Sequence, residues 1–182
     1  MLSKARMSVL LLASLCPVAG AQTAPSAAIV TREVARAVNH YSAAIACNVT
    51  AVNGSNIAAL IPYKGPDDGD KAKFAVLWNG DIGCAGGSGT SSANIAIVTV
   101  NPTLSVYTVD PMLSSPVVQF DLPVREFDKL VGNTQNTLIV EARQSAEKDP
   151  DCCPSINTRF TLTSDAKGNW RVANQKPAPS HK

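Results

Sequence analysis

Asp151-Cys152-Cys153-Pro154-Ser155 sets two thiols side by side, with Cys47 and Cys84 far upstream. Such cysteines can act as nucleophiles, as metal ligands or as halves of disulfides. A zinc site wants two well-spaced cysteine pairs or nearby histidines, and this chain has neither arrangement. Only His40 and His181 could act as imidazole bases. His40 falls on a helical stretch with no nucleophile motif beside it, and reads as a helix-surface or satisfied core histidine rather than a base. Gly86-Gly87-Ser88-Gly89-Thr90 resembles a nucleophile elbow, but Thr90 stands where glycine is required and no helix follows. The same glycines lack the Gly-Lys-Ser/Thr continuation of a phosphate loop. They read as a tight turn beside Cys84 and as a candidate contact loop. Asp67, Asp68 and Asp70, and likewise Asp149 and Asp151, do not have the spacing of a calcium loop and read as solvated turns. No catalytic set, metal site or cofactor motif emerges, and a non-enzymatic protein is expected.

The start of the chain favours disulfides. Lys4 and Arg6 precede an apolar run, Met7 to Leu15, and then Pro17 and Ala19-Gly20-Ala21. That order predicts an export signal over residues 1–21, cut after Ala21. The run is too short to span a bilayer, which needs ~20 apolar residues. Leu15 before Cys16 does not suit a lipoprotein cut. Export places the remaining four cysteines in an oxidising compartment. Three pairings exist. A Cys152–Cys153 ring is strained, because adjacent Cα atoms lie closer than a disulfide prefers. The two pairings that tie Cys47 and Cys84 to the Cys152–Cys153 loop are therefore favoured, and nothing in the sequence chooses between them.

Composition narrows the classes of partner. The 16 basic residues lose Lys4 and Arg6 with the signal and then equal the 14 acidic ones. A neutral chain argues against nucleic-acid binding, which draws on a basic excess. No later stretch is apolar enough for a membrane span. The expected home is periplasm, cell surface or medium.

The positioning elements follow from periodicity. Residues 27–46 read as a helix capped by Ser26 or Thr31, with Ile29, Val30, Val34, Ala37, Val38, Tyr41 and Ile45 near helical spacing. Strands are predicted over residues 49–52, 57–63, 72–79, 94–101, 104–109, 117–120, 124–131, 137–143, 158–163 and 169–172. Asn53-Gly54 and Gly132-Asn133 mark turns. The sum predicts one α+β domain over residues 22–175, with an N-terminal helix packed on a curved antiparallel sheet of about eight strands, disulfide-braced. The runner-up is a β-sandwich with the helix at one end. Residues 176–182 read as a flexible tail.

Several strings together resemble a family of small exported bacterial surface attachment proteins. They are Val76 to Thr90, Val109-Asp110-Pro111 with Ser114-Ser115-Pro116, Val131-Gly132-Asn133-Thr134, and Asp151 to Ser155 with Arg159-Phe160. The likeness runs from about Tyr41 to Trp170. A looser likeness, limited to the Cys-Cys-Pro-Ser ending, extends to small bacterial lipoproteins. The resemblance implies adhesion of cells to a surface or protein ligand and carries over no catalytic residue. The alternative expectation is a periplasmic or secreted binder or inhibitor of another protein, with the loop near Cys84 and Cys152 as a rigid wedge; Gly86, Gly87, Ser88 and Gly89 remain the candidate contact loop.

Overall fold

A computed structural model describes residues 24–179, apart from residues 69, 88, 89, 102, 105, 151 and 152. The predicted export signal, Cys16, Cys152 and His181 lie outside the described residues.

The helix α1 spans Ala27–Ile45, and Ser26 caps it by accepting a bond from the Ile29 N–H. Val30, Val34 and Val38 form its buried stripe at i, i+4, i+8, while Ile29 stays exposed. Ten strands follow. The first sheet holds β1 (Ala46–Cys47), β2 (Ile57–Ile61), β3 (Lys73–Ile82), β4 (Ser92–Asn101) and β5 (Val106–Asp110). Its order is β1-β3-β4-β5, and β2 shares the β1 side of β3. The second sheet runs β6-β10-β9-β8-β7, from β6 (Phe120–Asp121), β7 (Phe127–Asn133), β8 (Thr137–Gln144), β9 (Ile156–Ser164) and β10 (Trp170–Pro177). Every pairing is antiparallel except β6 with β10.

The α+β class holds, with a different layering: the helix covers one face of the first sheet and the second sheet covers the other. Strand alternation sorts the side chains. Phe74, Val76 and Trp78 of β3, with Ala96, Val98 and Val100 of β4, meet the helix stripe. Ala75 and Leu77, with Ile95 and Ile97, meet Leu138, Val140, Phe160, Leu162 and Trp170 of the second sheet. Fully burying each aliphatic side chain contributes about 1.5–3 kcal/mol.

Asn79 stitches the two sheets on one side. Its amide donates to the Phe127 carbonyl and accepts from the Phe127 N–H, each at 3.3 Å, and it is buried. Asn133 of β7 donates to the Ala59 carbonyl of β2 at 2.8 Å. On the opposite side β5 ends in a short 3-10 turn, Pro111–Leu113, and two buried serines take over its role. Ser114 Oγ accepts from the Ile97 N–H and Ser115 Oγ from the Ile95 N–H, while the Ser115 N–H donates to the Ile95 carbonyl. Tyr41 of the helix donates to the Ser115 carbonyl at 2.7 Å.

Gly80 is explained by its neighbour. A Cβ there would stand 2.9 Å from the Trp78 ring, and that ring is buried with no room to retreat.

Several expectations are corrected. Residues 49–52 are not a strand: the Asn39 side chain accepts from the Val52 N–H and donates to its carbonyl, taking the place of a strand partner. Asn53-Gly54 opens a capped 3-10 turn rather than a hairpin. The strand expected over residues 117–120 shrinks to β6. The chain expected to fray after residue 175 continues as β10 to Pro177, because Lys176 and Pro177 pair with Arg159 and Thr158 of β9.

Asn79→Ala should strand a buried N–H and a buried carbonyl of Phe127. Its urea midpoint at unchanged m-value should report a loss of about 2–4 kcal/mol.

Candidate functional site

The Gly-rich loop leaves the end of β3. Cys47 and Asp81 are cross-strand partners in β1 and β3, and Gly83, at φ +82°, turns the chain back. Cys84 thereby returns to Cys47, and the two form a disulfide with Cα atoms 5.1 Å apart. This corrects the favoured expectation that both would reach the late cysteine loop. The reason is local: the β1–β3 register and the Gly83 turn already bring the two Cα atoms to bridging distance. Cys153 is also disulfide-bonded, to a cysteine outside the described residues.

Past Cys84 the loop wraps around the Asp81 carboxylate. Gly86 N–H donates to it at 2.9 Å and Ala85 N–H at 3.4 Å. The Gly86 bond is the largest cause holding the carboxyl below the usual carboxylate range; desolvation opposes it, and Thr90 and Ala85 add to the lowering. Glycines at φ +77° and +106°, Gly86 and Gly87, allow this curl. Convergent backbone N–H groups form an anion nest, and here an internal carboxylate fills it. Gly86 and Gly87 are exposed at the tip, as a contact loop requires, while Ser88 and Gly89 lie outside the described residues.

A second aspartate organises the late loop. Asp149 accepts from the Ala146 N–H at 2.7 Å, from the Ser155 N–H at 2.8 Å and from the Ser155 hydroxyl. The bond from Ala146 leads the causes that hold its carboxyl low. Ser155 of the Cys-Cys-Pro-Ser run thus closes the loop on Asp149.

Ser91, at the exit of the Gly-rich loop, and Pro154, of the late loop, border one cleft of about 540 Å³. Leu122, Pro123 and Val124 give it an apolar side. Arg125, Glu126, Arg143 and Gln144 bring polar groups. Arg143 pairs with Asp128 at 3.4 Å, a contact that both partners make largely in water. Two cations and two carboxylates leave the cleft close to neutral. It can hold a ligand through hydrogen bonds donated by arginine and amide groups and accepted by carboxylates, packed over proline and aliphatic surface.

Arg159-Phe160 splits across the second sheet. Phe160 is buried in the shared core. Arg159 faces outward and donates through Nε at 3.0 Å and through Nη2 to Glu141, whose other side meets Lys129 Nζ at 2.9 Å. Arg159 is the foremost cause lowering the Glu141 carboxyl. This ladder fixes β7, β8 and β9 in register.

The remaining chemical candidates stand apart. His40 is exposed on the helix, remote in sequence from any cleft-lining residue. Tyr63 and Tyr107 are half-buried against each other, edge to face. No helix among the described residues is long and apolar enough to cross a membrane. Sequence reading placed Asp149 in a turn but not as the acceptor that closes it, and missed Asp81 and the Arg125–Arg143 side of the cleft. An aspartate followed within five residues by glycines was the one available signal for a self-filled nest.

A carboxyl held low when folded contributes stability that is present above its unfolded pKa and lost as pH falls through the folded value. Asp81→Asn should therefore weaken the fold near neutrality and flatten the stability slope below pH ~4. Urea midpoints measured from pH 7 down to pH 2 check this; equal slopes in both proteins would count against it.

No protein-family model matches the chain, and no curated protein or solved structure matches it either.

Proposed function

We propose that this is a non-enzymatic exported protein that helps cells attach to surfaces, with the cleft between the Gly-rich loop and the late cysteine loop as its contact site. The observation that supports this most is that Pro154 of the Cys-Cys-Pro-Ser run and Ser91, the residue after the Gly-rich string, border the same opening. Asp81 holds the N–H groups of Ala85 and Gly86, and Asp149 holds those of Ala146 and Ser155, so these described parts of the two loops are fixed by bonds within the protein. Pre-ordering lowers the entropic cost of binding. The near-neutral lining favours a ligand rich in hydrogen-bonding groups and poor in net charge, such as a neutral glycan or an extended peptide backbone.

Deleting the gene should lower surface attachment of washed cells several-fold, and the wild-type copy should restore it. Arg143→Glu, an exposed change expected to leave the melting temperature within a few degrees, should fail to restore attachment. Unaltered attachment after deletion, with the protein confined to the periplasm, would overturn the proposal.

A further inference from the structure

The outer edge of β5 is unlike the other strand edges. β7 carries two register shifts against β8, β2 carries one against β3, and β1 and β6 are two residues each. These are the usual devices that blunt an edge. β5 has none: it pairs with β4 alone, in unbroken register, and contains no proline, lysine or bulge. Its outward backbone groups can be assigned. Ile95 and Ile97 turn their N–H groups toward the β5 side, where Ser115 and Ser114 meet them. By alternation Thr99 and Asn101 do the same, so their partners Thr108 and Val106 turn inward. Tyr107 and Val109 are left presenting N–H and C=O groups to the open edge.

Exposed apolar side chains gather on the same segment. Among the described residues, Leu104 (69% exposed), Met112 (67%), Val117 (57%) and Val106 (43%) lie on β5 or its flanks.

We infer that β5 is a self-association edge, and that its occupant is β5 of a second copy, antiparallel and two-fold symmetric about Thr108. The register is self-complementary. Tyr107 meets Val109 of the other copy in hydrogen-bonded pairs, and Thr108 meets its equivalent on the axis. The end carrying Leu104 comes to the end carrying Met112, twice, so the two most exposed large apolar residues cover each other. Charge permits it: residues 104–117 carry one charge, Asp110, which falls opposite Val106 and already caps the Met112 N–H at 2.9 Å. A five-residue edge with these flanks falls short of the ~800 Å² per partner of a standard stable interface. The dimer is therefore weak, assembling only where the protein is concentrated. It does not depend on the cleft having a ligand.

Sedimentation velocity of the full exported chain, from about 1 µM to about 1 mM, tests it. The weight-average coefficient should rise from monomer to dimer. Leu104→Lys or Met112→Glu, each counted twice by the symmetry, should weaken association by about tenfold or more with an unchanged melting temperature. Combining Leu104→Lys with Met112→Glu sets an ammonium against a carboxylate at both ends, and should recover most of the association in a salt-sensitive way. A monomer at every concentration, or single variants that associate like wild type, would overturn the proposal. A double variant no better than the singles would overturn the register.

Discussion

Everything else in this fold is constrained by the fact that β3 and β4 have no face toward water. The helix stripe lies on one side and the second sheet on the other, so the central strands contribute apolar side chains in both directions. A strand buried twice cannot display chemistry along its length. Polar function is displaced to strand ends and to edges. The Gly-rich loop springs from the end of β3, the cleft opens at the end of β8, and the open edge is the outermost strand of the first sheet.

The polar groups that are buried act mainly as substitutes for backbone. Asn39 plays the missing strand beside Val52, Asn79 joins the two sheets, and Ser114 and Ser115 extend the β4 ladder after β5 departs. Buried N–H and C=O groups must find partners. Short side chains that supply them allow a strand to stop and the chain to change direction without leaving donors unsatisfied. Asp81 and Asp149 extend this logic to loops, where a carboxylate gathers several N–H groups at once.

Much of this was legible in the chain. The helix with its Ser26 cap, the β7–β8 and β9–β10 hairpins and the burial of Trp78 and Trp170 follow from period and turn chemistry. The second layer was harder. Phe74-Ala75-Val76-Leu77-Trp78 and Ile95-Ala96-Ile97-Val98 are continuous apolar runs, the mark of two-sided burial, yet Phe74, Val76 and Trp78 alone also satisfy simple alternation. Val49 to Val52 has strand-like composition, and only the tertiary placement of Asn39 removes it from the sheet. The cleft was out of reach because its lining comes from four separate segments. The Cys47–Cys84 pairing was out of reach because it rests on a two-residue register that no periodicity reveals.

That covalent link also has a mechanical consequence. A load applied at the amino end of a tethered molecule would first peel α1 from the sheet. At Cys47 the tension would cross directly to Cys84, beyond the end of β3, by-passing the chain between two residues 37 positions apart in sequence. The segment holding β2 and nearly all of β3 could not lengthen, so peeling α1 would uncover the face of the first sheet that Val30, Val34 and Val38 cover without drawing out the strands enclosed by the bridge.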